Sequence, residues 1–224
     1  MKKVVIVTGG NKGLGKALID LALKDNDSVI ISISRDLHIE HVSISNQKLI
    51  LVKTDLSQPF SDEILNTIDK VISKESLLYV FNNAGIVLPI NKVGNFVKSE
   101  IDISIAVNIL YPVNLINALL DRYENLKMII VNISSGAGRK PISHWSLYGA
   151  AKSYMIMFFD IIKEESKENL IVHSIDPGVL DTQMQENIRK SAFPKQEDFI
   201  AFKNNDALIT PLEAAINIFK TINF

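Results

Sequence analysis

Tyr148 and Lys152 stand four residues apart in a stretch of helical pattern, so their side chains share one helix face about a turn apart. A phenol with an ordinary pKa of about 10 gives up its proton reluctantly at neutral pH. An ammonium close by stabilises the phenolate and is expected to draw that value down, which would make Tyr148 a usable general acid. Upstream lies the pair Ser134-Ser135 before Gly136, and a hydroxyl there can donate to an oxygen on which negative charge builds. Each pair alone is common on ordinary helices and loops. Their meaning comes from what precedes them.

Directly after the apolar run Val4–Val7 comes Thr8-Gly9-Gly10-Asn11-Lys12-Gly13-Leu14-Gly15, leading into a helical pattern. Glycines at 9, 13 and 15 let the backbone turn sharply, approach a pyrophosphate and pack a helix onto a strand, while the helix N-terminus offers unpaired N–H groups to the anion. A Gly-rich turn alone is also an ordinary strand-to-helix loop. Roughly 20 residues beyond such glycines an NAD-binding chain places an acidic side chain for the adenosine ribose. Here Ser34 and Arg35 stand there instead. A carboxylate would repel a 2′-phosphate, whereas a guanidinium binds that dianion through two N–H groups and a small hydroxyl leaves room. NADP(H) is therefore the expected cofactor. Lys12 adds a second positive charge, and Asp36 partly neutralises Arg35.

The turn has the form T-G-x-x-x-G-x-G. Behind it follow Asp55 after the third apolar run, Asn82-Asn83-Ala84-Gly85 after the fourth, and Asn108 in a helical stretch. Then come Ser134-Ser135 after the fifth run, Tyr148 with Lys152, and Asp176-Pro177-Gly178 after the sixth. With these motifs in this order the chain resembles the short-chain dehydrogenase/reductase family over most of its length, and most of all its carbonyl, sepiapterin and benzil reductases. The resemblance implies that Gly9, Asn11, Lys12, Gly13, Leu14 and Gly15 cradle the dinucleotide, with Ser34 and Arg35 at the 2′-phosphate. Asp55 and Leu56 would meet the adenine, and Asn83, Ala84 and Gly85 the ribose. Pro177, Gly178, Val179 and Thr182 would hold the nicotinamide carboxamide.

It further implies that Ser135, 13 positions before Tyr148, holds the substrate oxygen and that Lys152 also binds the nicotinamide ribose. Asn108 would offer its backbone carbonyl to a water linking Lys152 to solvent. Pro112 has no N–H to give and should bend that helix, freeing the Asn108 carbonyl from its usual i+4 partner. The implied reaction is hydride transfer from NADPH to a ketone or aldehyde, with Tyr148 delivering the proton and a small dicarbonyl or aromatic ketone as substrate by analogy. The rivals are an NAD-linked alcohol dehydrogenase and a non-catalytic NADPH-sensing regulatory protein; sensors of that kind tend to lose the acid and its lysine, and both stand here.

These residues need a scaffold. Apolar, β-branched runs at Val4–Val7, Val29–Ile33, Leu49–Val52, Leu77–Phe81, Met128–Ile133 and Leu170–Ile175 alternate with helical patterns at Ala17–Lys24, Ile64–Ser73, Ile101–Leu120 and Leu147–Lys167. Short continuous apolar runs suit strands covered on both faces. The expected fold is thus an α/β, Rossmann-type, doubly wound parallel sheet of six strands, or seven, with helices on both faces. Many members of the family end on a seventh strand used to join subunits, whereas this chain stops at Thr221-Ile222-Asn223-Phe224, so a homo-oligomer is left open. One dinucleotide-binding domain over residues 1–224 is expected, with a polar segment at 183–206 covering the substrate and a helix opening near Pro211.

Composition narrows the partners. The 24 basic and 25 acidic side chains give a net charge of −1, without the long-range field that draws a protein onto nucleic acid or an anionic membrane. No run approaches the roughly 20 apolar residues of a membrane span, so a small carbonyl compound is the expected partner and neither nucleic acid nor a membrane is. The absence of cysteine removes disulfide and thiolate chemistry and fits a cytoplasmic setting. His38, His41, His144 and His173 lack metal-ligand spacing, and His38 with His41 is expected in a solvated loop. His144 and Trp145 lie close enough to Tyr148 to line a substrate pocket.

Overall fold

A computed structural model describes residues 1–224 apart from Ser166 and Lys167. All six apolar runs are strands: β1 (Lys3–Thr8), β2 (Ser28–Ser34), β3 (Leu49–Lys53), β4 (Leu77–Asn82), β5 (Lys127–Ile133) and β6 (Leu170–Ile175). They form one parallel sheet in the order β3-β2-β1-β4-β5-β6, the doubly wound arrangement. Among the described residues the sheet has six strands, so a seventh is not seen. Phe224 instead packs edge-on to Tyr79 with ring centres 4.8 Å apart.

Alternation along the central strand β1 shows why the runs are continuously apolar. Val4 and Ile6 face one core layer, Val5 and Val7 the other, and all four are fully buried. The first layer is completed by α3 (Glu63–Asp69), α5 (Tyr111–Arg122) and α6 (Ser146–Glu165), and the second by α1 (Gly13–Ala22) and α9 (Pro211–Thr221). The helix expected over Leu147–Lys167 is α6; its last two expected residues lie outside the described ones. The 183–206 segment folds into α7 (Gln183–Lys190) and α8 (Gln196–Asn204). Thr210 opens α9 with a capping box, accepting from the Glu213 N–H at 3.2 Å.

Three expectations need correcting or refining. First, α2 (Ile39–Ile44) occupies the presumed solvated loop, and only His38 is there as a cap, accepting from the Glu40 N–H. His41 is buried, with Nε2 2.8 Å from the Asp20 carboxylate; α2 turns this ring inward onto α1.

Second, α4 (Lys98–Ile105) runs through a π-helical turn at Ala106–Leu110 into α5 without a break. Pro112, in the first turn of α5, cannot donate to the Asn108 carbonyl, and the helix absorbs the misfit by widening.

Third, this Lys98–Arg122 run of 25 residues reaches a mean hydropathy of 1.7 in an 18-residue window, so one helix is long and apolar enough to span a bilayer after all. Between Asp102 and Asp121 it carries no charged residue, and its asparagines, Asn108, Asn114 and Asn117, are outweighed by the aliphatic residues around them. Val107, Tyr111, Leu115, Ile116 and Leu119 on its inner face are core residues packed against the sheet.

Candidate functional site

In a parallel sheet every strand ends on the same side, so the loops after β1, β2, β4, β5 and β6 converge there. Gly9 and Gly13 take the left-handed conformation, at φ +72° and +53°. A Cβ on Gly15 would overlap the Gly9 carbonyl oxygen and stand 2.6 Å from Asn83 Nδ2; only glycine lets α1 start this close to the strand end. Lys12 caps α1 without a side-chain bond, and the first turn carries no acidic residue. The helix N-terminus therefore presents N–H groups beside a lysine, a donor set that fits a dinucleotide pyrophosphate. Asn11 flanks the turn half-buried, whereas the Leu14 side chain belongs to the core.

Thr8, which the spacing did not single out, holds this turn to the next loop. Its Oγ1 accepts from the N–H groups of Asn83 (3.1 Å) and Ala84 (3.0 Å) and donates to the Phe81 carbonyl. Asn83 Nδ2 returns a hydrogen bond to the Thr8 carbonyl at 2.8 Å. Asn83 and Ala84 thus brace the cradle from behind.

At the end of β2, Ser34 is buried and donates to the Asp36 carbonyl at 2.9 Å. The Arg35 side chain is 71% exposed and meets the Asp36 carboxylate at only 3.4 Å, a contact at the outer limit of a hydrogen bond. Asp55 accepts from the N–H (2.9 Å) and Oγ (2.8 Å) of Ser57, and these bonds, assisted by the charge of Arg35, hold its carboxyl below the usual range. The Leu56 side chain points into the core.

Tyr148 and Lys152 lie on the inner face of α6, both more than nine-tenths buried. Lys152 Nζ donates to the Ile133 carbonyl at 2.8 Å and lies 5.7 Å from the centre of the Tyr148 ring. Ser135 accepts from the Ala137 N–H at 3.2 Å and stands close enough to the phenol to influence it. Ser134, its neighbour, is buried, its hydroxyl without a partner among the described residues. Burial pushes the Tyr148 phenol up to about 12, the Ser135 hydroxyl opposes this, and the Asp176 charge adds to it. Burial likewise pushes Lys152 down to about 8, against Asp176.

The expectation that the ammonium pulls the phenol down is therefore reversed in this structure. Lys152 reaches past the ring to β5, and desolvation outweighs the other influences on both groups.

Asn108 clamps the loop after β4: its Oδ1 accepts from the Ile86 N–H and its Nδ2 donates to the Ile86 carbonyl, both at 2.9 Å. Gly85 sits between Asn108 and Lys152, where a Cβ would lie 3.2 Å from Asn108 Oδ1 and 3.7 Å from Lys152 Nζ. After β6, the Gly178 N–H donates to Asp176 at 3.0 Å and the Val179 carbonyl accepts from the Ile209 N–H at 2.9 Å. Thr182, the N-cap of α7, brings its methyl group against Gly13. The loop that carries Pro177 thereby reaches across to the Gly-rich turn.

Over Tyr148 lies an aromatic wall. Trp145 stacks edge-on to Tyr148, ring centres 5.7 Å apart, and meets Phe193 at 5.8 Å and Phe199 at 5.2 Å; Ile188 of α7 completes it. A cleft of about 550 Å³ opens beside this wall, lined by His144 and Trp145 together with Lys92, Ala137, Arg139 and Ile142. It adjoins the reacting groups without including Ser135 or Tyr148. Among the described residues no three His, Asp or Glu side chains are placed to hold a metal.

The sequence matches the family profile described as short chain dehydrogenase over residues 3–192. It is 31% identical to a benzil reductase ((S)-benzoin forming) of Bacillus subtilis (strain 168), covering 85% of this chain and 79% of the relative. It is 30% identical to a benzil reductase of Bacillus cereus, covering 99% and 96%. Among solved structures, the KRED1-Pglu enzyme superposes with a TM-score of 0.84 at 26% identity, over 96% of this chain and 92% of that one.

Proposed function

The chain belongs to the short chain dehydrogenase family of oxidoreductases, and from that premise we propose that it reduces a ketone or aldehyde with NADPH, Tyr148 giving the proton. The observation that carries this reading is the convergence of Ser135, Tyr148 and Lys152 at the mouth of a cradle suited to a dinucleotide. The bound nicotinamide would supply the hydride. Ser135 orients the phenol and offers its hydroxyl to the substrate oxygen, the fixed-dipole help that acyl and carbonyl chemistry uses. Tyr148 holds its proton firmly at neutral pH and is in the protonated form a donor must have. Lys152, fixed by Ile133, sits beside Gly85, which stands between it and Asn108.

Ser34, Arg35 and Lys12 would meet a 2′-phosphate, and the absence of a carboxylate on either of the first two favours NADPH over NADH. The names of the relatives, together with the aromatic wall, support aryl ketones and vicinal diketones as the substrate class.

The test is consumption of NADPH and of NADH with a panel of diketones, aryl ketones and quinones, comparing the parent with Tyr148→Phe. Turnover with NADPH that falls by about 10²–10⁴ in the variant, while cofactor binding persists, supports the reading. Cofactor binding without turnover on any carbonyl would favour a sensor.

A further inference from the structure

Buried polar groups in folded proteins nearly always find partners, so a cluster that lacks them calls for an account. Among the described residues, the Trp145 indole N–H, both ends of the Gln185 carboxamide and Nη1 of Arg189 are buried without a hydrogen-bond partner. Gln185 is 2% exposed and Trp145 5%. Gln185 and Arg189 are a turn apart on α7, and Met184 and Ile188, which flank Gln185 on that face, pack against the cluster of Trp145, Tyr148, Phe193 and Phe199. This cluster borders the open cleft through Ala137, Ile142 and Trp145, and apolar, aromatic surroundings with a few polar groups among them are the usual make-up of a small-molecule site. The polar complement here is lopsided. Indole, carboxamide and guanidinium supply three kinds of N–H donor against a single acceptor oxygen, so what completes it is a ligand rich in acceptor oxygen.

We infer that Gln185, together with Trp145, is the specificity-determining element of the substrate site, receiving the second oxygen of a vicinal dicarbonyl while the first faces Tyr148. This rests on the carbonyl-reductase reading, which supplies the first oxygen its role. Trp145 is suited to the task because its ring touches that of Tyr148, and a vicinal dicarbonyl sets its two oxygens on adjacent carbons. A monoketone of the same size would leave the donors buried and unpaired, and sites built to pair a polar group reject ligands that lack it.

The experiment is calorimetric titration of benzil and of deoxybenzoin, which differ only by one carbonyl, into the protein saturated with NADP⁺, so that binding is read without turnover. The parent should bind benzil roughly tenfold more tightly, as one or two net hydrogen bonds allow. In Gln185→Leu, in the near-isosteric Gln185→Met and in Trp145→Phe the ratio should collapse toward one. Gln185→Met keeps the packing of α7 should the leucine variant fold poorly. Equal affinity in the parent, no binding of either ketone, or a preference that survives both Gln185 variants would overturn the assignment. Because NADPH turnover is measured apart from binding, a protein that discriminates benzil but reduces nothing would refute the reductase reading and with it the role of the first oxygen, while Gln185 and Trp145 would still be shown to receive the second.

Discussion

Lys152 Nζ donates to the carbonyl of Ile133, 2.8 Å away across the end of β5, in a space closed to solvent. The bond fixes an ammonium where burial disfavours its charge. For a base whose value falls from 10.5 unfolded to about 8 folded, the unfolded chain binds the extra proton between those two values, so stability rises with pH across that window and the full penalty applies below about 8. At neutral pH that penalty is of the order of 3 kcal/mol. Lys152→Met removes it at the cost of about 1 kcal/mol for the lost bond to Ile133. The variant should therefore be inactive yet more stable than the parent by about 2 kcal/mol at pH ~7, with the gap narrowing toward pH ~9.5. Urea denaturation at the two pH values decides; a variant less stable than the parent at neutral pH would refute it.

Asp176 lies in the loop after β6 and raises both neighbours, the Tyr148 phenol and the Lys152 ammonium. Neutralising it takes away a negative charge that favours the protonated form of each group. In Asp176→Asn the alkaline limb of kcat/KM should move to lower pH, and Gly178 should keep its turn because the amide oxygen still accepts from its N–H. A pH profile that coincides with the parent's would show that this carboxylate does not reach the reacting groups.

Arg35 is weakly engaged, its Nε 3.4 Å from Asp36, so little must be broken for it to turn toward a phosphate. A charge-assisted pair is worth about 1.5–3 kcal/mol. Arg35→Ala should accordingly raise KM for NADPH by roughly 10- to 100-fold and leave KM for NADH nearly as it was. Equal losses for both cofactors would mean that the guanidinium does not read the 2′-phosphate.

Gly15 meets the Gly9 carbonyl where a methyl group has no room, and neither backbone can yield without moving α1. Gly15→Ala should cost about 1–3 kcal/mol of stability through overpacking and weaken dinucleotide binding, read by thermal unfolding with and without NADPH. Should the variant bind and unfold like the parent, the close crossing would have no bearing on the cradle.

Much of this was legible from spacing alone. Runs of β-branched residues between helical patterns specified a parallel sheet, because short strands covered on both faces have no polar face to show. The glycines at 9, 13 and 15 announced a turn that other residues cannot make, and the four-residue gap between Tyr148 and Lys152 put them on one face of α6. Pro112 signalled the disturbance at Asn108 that the structure resolves as a π turn.

What spacing could not convey is the company each group keeps. Whether Lys152 points at the phenol or at Ile133, whether His41 meets water or Asp20, and what covers Tyr148 depend on contacts between segments far apart in the chain. Desolvation is set by the packed neighbourhood and not by local pattern, which is why the four-residue spacing points the phenol's shift downward while the buried surroundings of α6 and β5 push it up. Sequence by itself determined the elements and which residues face the same way; only the tertiary structure decided which of them are dry, paired or left wanting a partner, as Gln185 is.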